Sequence, residues 1–113
     1  MKKILIIFTL MLCLTTIVGC SKKESKLDKI INENNYIIVD VRTKEEYDAS
    51  HVKGSINIPY DEIDEKTNLD KNKTIMVYCR SGNRSSKAYN TLKKLGYDVY
   101  DAGAFDKLDL EKE

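Results

Sequence analysis

Two stretches of the chain are apolar at nearly every position. Tyr36-Ile37-Ile38-Val39 and Thr74-Ile75-Met76-Val77-Tyr78 are β-branched and aromatic runs without alternation, the pattern of strands buried on both faces as in a parallel sheet. Around them the period becomes helical. Leu27, Ile30 and Ile31 recur at i, i+3, i+4 and predict a short first helix ending near Asn34 and Asn35. Thr43-Lys44-Glu45-Glu46 has the form of a capping box, in which the Thr hydroxyl accepts from the third helical N–H and the Glu reaches back, so a short helix should run through Tyr47 and Asp48. His51-Val52-Lys53-Gly54-Ser55-Ile56-Asn57-Ile58-Pro59 predicts a turn, a very short strand and a stop at the proline; residues 60–66 predict one or two helical turns with Ile63 inward. Ala88, Leu92 and Leu95 at i, i+4, i+7, with Tyr89 alongside, Lys93 and Lys94 in the last turn and Gly96 placed for a left-handed cap, predict a clear helix. Val99-Tyr100 predicts a short last strand and residues 104–110 a terminal helix. Strands alternating with helices predict an α/β domain: a small parallel sheet of four strands, or five with a short edge, flanked by helices.

The amino-terminal pattern is of a different kind. Lys2 and Lys3 precede residues 4–18, an uncharged run in which Thr is the only polar type. At roughly 15 residues it matches the apolar core of a signal peptide and falls short of the roughly 20 that span a bilayer. Ile17-Val18-Gly19-Cys20 then resembles the bacterial lipobox. That resemblance implies a lipoprotein signal peptide over residues 1–19, acylation of Cys20 with lipid (palmitate) on its sulfur, a lipid-anchor tether over 20–26 rich in Ser, Lys and Glu, and a folded domain over 27–113. The protein is therefore expected outside the cytoplasm, anchored to a bacterial cell membrane.

Composition narrows the function. With 113 residues there is room for one domain, and 19 Lys+Arg against 18 Asp+Glu, interspersed, give a formal charge of +1 with no concentrated basic face; no nucleic-acid partner is expected. Loss of Lys2 and Lys3 with the signal peptide leaves a formal −1. The three cysteines, Cys13, Cys20 and Cys79, form no CxxC pair and no even set, so neither a zinc ribbon nor a disulfide scaffold fits, and no metal or cofactor is expected. Cys13 leaves with the signal peptide and Cys20 carries lipid, which makes Cys79 the one available thiol.

Cys79 stands at the carboxyl end of the second strand, where ligands bind in open α/β sheets. Taken alone, a cysteine ending a buried strand is a small core residue. Its surroundings, Cys79-Arg80-Ser81-Gly82-Asn83-Arg84-Ser85, change that reading. The start of the following helix, two guanidiniums and inward-turned backbone N–H groups all lower a thiol pKa. Gly82 and Asn83 tolerate positive φ and let the loop curl around the sulfur. Arg80 and Arg84 offer fixed charge to an anion. Ser85 is placed to cap the helix or to donate to the sulfur. A thiolate nucleophile and a compact anionic substrate are implied.

These residues resemble the single-domain rhodanese family of sulfurtransferases over residues 27–108. Asp40-Val41-Arg42 looks like its first signature, with Glu45-Glu46-Tyr47 in the helix after it; residues 51–59 look like the second, and residues 79–85 are similar to the active-site loop. The resemblance implies a rhodanese-like fold and a cycle in which catalytic Cys79 takes a sulfane sulfur from a donor such as thiosulfate, forming a persulfide, and passes it to cyanide or a thiol, with Arg80, Ser81, Gly82, Asn83, Arg84 and Ser85 binding the substrate. The alternative is a persulfide carrier or redox-sensing docking module without turnover. Phosphatases and arsenate reductases related to this fold have five residues between the Cys and an Arg, in a wider loop; here four residues separate Cys79 from Arg84, and Ser85 follows. Asp40 and Arg42 are expected to fix the scaffold near the site by pairing. His51, the single His, sits in a turn signature, and thiolate activation by the loop requires no base. A monomer is expected. The chain departs from the family in having Ala102-Gly103 and no Trp where a Gly-Gly pair and Trp are usual, which leaves Phe105 or Leu108 to fill the space.

Overall fold

The computed structural model describes residues 25–113; the expected signal peptide, Cys13, Cys20 and most of the expected tether lie outside the described residues. The first helix, α1 (Lys26–Glu33), begins where Ser25 accepts from the Asp28 N–H at 3.1 Å and ends at Asn34 in the left-handed region (φ 52°). Ser25 and Lys26 therefore belong to the folded unit rather than to the tether. β1 (Tyr36–Asp40) follows, then α2 (Lys44–Ala49), whose capping box is complete: Thr43 accepts from the Glu46 N–H, and Glu46 accepts from the Thr43 N–H. The chain continues through β2 (Ile56–Asn57), a single 3-10 turn at Tyr60–Glu62 that leaves Ile63 buried, β3 (Thr74–Cys79), α3 (Asn83–Lys94) and β4 (Asp98–Ala104).

All four strands are parallel, in the order β2-β1-β3-β4. Among the described residues the sheet has four strands, without the extra edge that a fifth would supply. Each central strand serves two cores, because successive side chains point to opposite faces. On one face Ile75, Val77 and Cys79 pack with Val39, Val41 and the α3 residues Ala88 and Leu92; on the other Met76 and Tyr78 pack with Ile30 of α1, Ile38, Val52 and Leu108. Leu92 is fully buried, a placement that stabilises the fold by roughly 1.5–3 kcal/mol. Asn57 donates from its amide to the carbonyls of Asp40 and Arg42, both at 3.0 Å, and so ties the two-residue edge strand to the end of β1.

The carboxyl-terminal part corrects the expected pattern. β4 runs seven residues instead of two, because a register shift between Val77 and Tyr78, taken up at Gly103 (φ +81°), lets it follow β3 as far as Ala104 opposite Cys79. The expected helix over 104–110 is one 3-10 turn, Phe105–Lys107. Phe105, Leu108 and Leu110 are spaced by three and then by two, which places them on one surface only if a turn gives way to extended chain. That extended chain pairs antiparallel with the second signature: His51 and Glu113 exchange N–H···O bonds at 2.8 Å, and Lys53 donates to Glu111 at 2.8 Å. Among the described residues no helix is long and apolar enough to cross a membrane.

Candidate active site

The alternation of β3 sends the Cys79 side chain toward α3, and the loop folds over it. Gly82 adopts φ +98° at the N-cap of α3, a left-handed conformation that a β-carbon would strain, and this turns its N–H onto Cys79 Sγ at 2.9 Å. Asn83 already lies in the helix, so Gly82 alone makes the turn. Ser85 is fully buried; its hydroxyl lies 3.5 Å from Sγ and donates to the Gly82 carbonyl at 3.0 Å. Burial alone pushes the Cys79 thiol up, but the Ser85 hydroxyl and the backbone amides of Ser85, Gly82 and Ser81 together outweigh it and bring the thiol below its ordinary value. The thiolate is thus stabilised chiefly by the loop's own dipoles.

The two loop arginines do different work. Arg84 forms a bidentate ion pair with Glu46 of α2, Nη1 to Oε1 at 2.6 Å and Nη2 to Oε2 at 3.0 Å. It is therefore a strut between α2 and the loop. The Arg84 bonds, against opposition from partial burial and with help from Thr43, hold the Glu46 carboxyl down at about 2. Arg80 is exposed, and beside Arg42, Glu46, Ser50, Phe105 and Asp106 it lines a cavity of about 320 Å³ at the loop. Ser81 and Asn83 are exposed on the loop's outer side.

Asp40 and Arg42 form a buried ion pair. Both are buried, the Arg42 Nη2 reaches Asp40 Oδ2 at 2.7 Å, and the Arg42 N–H donates to Oδ1 at 2.8 Å. Burial alone lowers the Arg42 guanidinium, but the Asp40 bonds and charge outweigh it and raise it. Arg42 also donates to the Ser50 carbonyl at 2.6 Å. The Tyr78 hydroxyl completes this network, donating to Asp40 Oδ2 at 3.0 Å while accepting from the Val52 N–H at 3.0 Å and lying 3.2 Å from Ser55 Oγ. Burial raises the Tyr78 phenol, which keeps it a donor. His51 contacts no loop residue: it stacks on Tyr47 with ring centroids 3.8 Å apart, its Nδ1 donates to the Tyr47 carbonyl at 2.8 Å, and its Nε2 faces Glu113 Oε1 at 3.3 Å.

Sequence reasoning missed two participants and left a third, Phe105, as one of two candidates. Glu46 reads there as a cap and as part of the helix after the first signature, with nothing to mark its partner Arg84, 38 residues away. Tyr78 reads as strand core, with nothing to mark its hydroxyl. Phe105 fills the space left by the missing Trp in a specific way, stacking on Tyr78 at 5.7 Å and lying under the Arg42 guanidinium at 4.4 Å. Among the described residues no group of three His, Cys, Asp or Glu side chains is placed to hold a metal ion.

The family model described as a rhodanese-like domain matches residues 23–106, which include every element around the sulfur. This chain belongs to the rhodanese-like domain family. The rhodanese-like chain is 40% identical over 78 residues to the thiosulfate sulfurtransferase PspE of Escherichia coli, covering 66% of this chain and 75% of that protein. It is 37% identical over 75 residues to "Putative sulfur carrier protein YrkF" of Bacillus subtilis, covering 66% of this chain but only 40% of YrkF. Among solved structures, an Escherichia coli rhodanese determined with anions superposes with a TM-score of 0.63 at 36% identity, over 69% of this chain and 96% of that one. BH2092 of Bacillus halodurans superposes with a TM-score of 0.65 at 27% identity, over 93% and 85% of the two chains. The rhodanese fold and its relatives named for sulfur transfer thus agree with the loop geometry.

Proposed function

We propose that this chain is a thiosulfate-type sulfurtransferase that works through a persulfide on Cys79. The Cys79 thiolate attacks the sulfane sulfur of thiosulfate; a bond forms to Sγ, the sulfur–sulfur bond of the donor breaks, and sulfite leaves with the electron pair. A nucleophilic acceptor, cyanide in an assay or a thiol in the cell, then attacks the outer persulfide sulfur and Cys79 departs as thiolate. The observation that carries this reading is the Gly82 N–H at 2.9 Å from a sulfur whose pKa the loop lowers, at the carboxyl end of β3. Likeness to PspE and to a rhodanese determined with anions supports the donor class. Arg80 receives the donor's charge. The test is mass spectrometry of the purified chain after thiosulfate: a gain of one sulfur atom is expected, absent in Cys79→Ser, and no gain in the unaltered chain overturns the reading.

A second reading, a persulfide carrier without efficient turnover, draws on the likeness to YrkF and on the complete burial of Cys79. Stoichiometric transfer to one protein with negligible cyanide turnover would favour it. We also propose that the protein is a monomer held outside the cytoplasm by lipid on Cys20, from the sequence of residues 2–20. Palmitate labelling lost in Cys20→Ala is the expected result, and labelling that survives removes the anchor.

A further inference from the structure

The Ser85 hydroxyl carries one proton and faces two acceptors. In the thiol state a chain of bonds runs Sγ–H to Ser85 Oγ at 3.5 Å and Ser85 O–H to the Gly82 carbonyl at 3.0 Å, all within a fully buried side-chain pair. When Sγ becomes a thiolate it has no proton to give and requires one. Rotation of the Ser85 hydroxyl supplies it, at the expense of the bond to Gly82. Such a rotation ordinarily leaves a carbonyl unsatisfied, a cost of about 1–3 kcal/mol. Here the Gly82 carbonyl also accepts from the Ser86 N–H at 3.1 Å, so it keeps a donor in either state.

Resting on the persulfide cycle proposed above, we infer that Ser85 is a two-position hydrogen-bond donor, seated on the Gly82 carbonyl while Sγ is uncharged, as thiol or persulfide, and on Sγ whenever charge resides there. No proton is exchanged with solvent and no bond to Ser85 forms or breaks; its O–H changes acceptor by rotation. In the first half-reaction negative charge leaves Sγ as the new S–S bond forms, and the hydroxyl returns to Gly82. In the second, the acceptor's electron pair forms a bond to the outer sulfur, the persulfide bond breaks toward Sγ, and the hydroxyl turns to meet the departing thiolate. Ser85 is thus a catalytic residue in contact with the reacting sulfur.

The two half-reactions respond differently to its removal. A thiolate that loses one donor is a better nucleophile but is less populated below its pKa, and it is a poorer leaving group at any pH. One hydrogen bond to a charged group sets a scale of roughly tenfold in thiolate stability, and the attenuated response of nucleophilicity reduces this to about threefold in rate. The groups around the sulfur leave the window clear. Glu46 is held low by Arg84, Arg42 and Arg84 are raised, the buried Tyr78 phenol is raised, Asp40 is paired with Arg42, and Arg80 is exposed.

The experiment is single-turnover kinetics of the full-length chain, unaltered and Ser85→Ala, with thiosulfate loading and cyanide discharge measured separately across the thiol titration. Loading by Ser85→Ala should be about threefold slower than in the unaltered chain on the acid side and about threefold faster on the alkaline side, while discharge is slower at every pH. Loading slowed equally at all pH, or discharge unchanged, overturns the assignment. Ser85→Gly, which also lacks the hydroxyl, should show the same crossing and serves if the alanine variant folds poorly. Failure of the unaltered chain to load sulfur refutes the persulfide cycle itself, whereas normal loading without the crossing refutes only the role of Ser85.

Discussion

Arg84 and Glu46, 38 residues apart in sequence, hold α3 to α2 through two parallel N–H···O bonds of 2.6 and 3.0 Å. The side chains are about a quarter exposed, 25% and 28%, so solvent screens the pair partly and its worth is set by geometry more than by charge. Arg84→Lys keeps the charge and loses the fork. It should lower unfolding stability by about 1 kcal/mol in urea titrations, and Glu46→Gln should do the same. An unchanged midpoint in both would mean that the strut contributes nothing.

The same pair fixes a pH window. Glu46 has its carboxyl depressed from 4.5 to about 2 in the folded chain, so its contribution to stability is complete above about 4.5 and is lost as pH falls through about 2. Urea midpoints taken at successive pH values across that window should fall more steeply for the unaltered chain than for Glu46→Gln. Parallel slopes would show that another carboxylate governs acid unfolding.

Arg80 stands free of the pairs that occupy Arg42 and Arg84. Its replacement by Gln should raise the KM for thiosulfate severalfold, leave kcat within about twofold, and flatten the dependence of kcat/KM on ionic strength, since an exposed charge steers an anion through a screened field. A loss confined to kcat would place Arg80 in the chemical step instead.

Tyr78→Phe separates scaffold from chemistry. It strips one donor from Asp40 and leaves the Val52 N–H without its acceptor in a buried site, a loss of about 1–3 kcal/mol. Persulfide loading of the folded variant should stay within about twofold, because the phenol lies on the opposite sheet face from the sulfur. Loss of loading without loss of stability would show that the network acts directly on Cys79.

Much of the frame was legible because local chemistry dictates it. The unbroken runs before Asp40 and Cys79 admit only doubly buried strands, and Thr43 with Glu46 closes its box within four residues. Ala88 and Leu92 mark the face that α3 buries. What escaped depends on relations between distant segments. β4 is long because it copies the register of β3, and no local signal in Asp101-Ala102-Gly103-Ala104 announces a strand. The terminal helix fails for the converse reason: its apolar residues fit a surface made by Tyr78 and Val52. At the site, position 79 and the left-handed Gly82 follow from the loop itself, whereas the division between Arg80 and Arg84 depends on which of them meets Glu46.

Adjacent residues of β3 face opposite ways, Tyr78 into the ion-pair scaffold and Cys79 into the loop. Gaining or losing a single residue within β3 would exchange the two and dismantle both networks at once. The connection over residues 64–73, which is largely exposed, carries no such phase. An added or deleted residue is therefore expected to unfold the chain within β3 and to be accommodated in that connection.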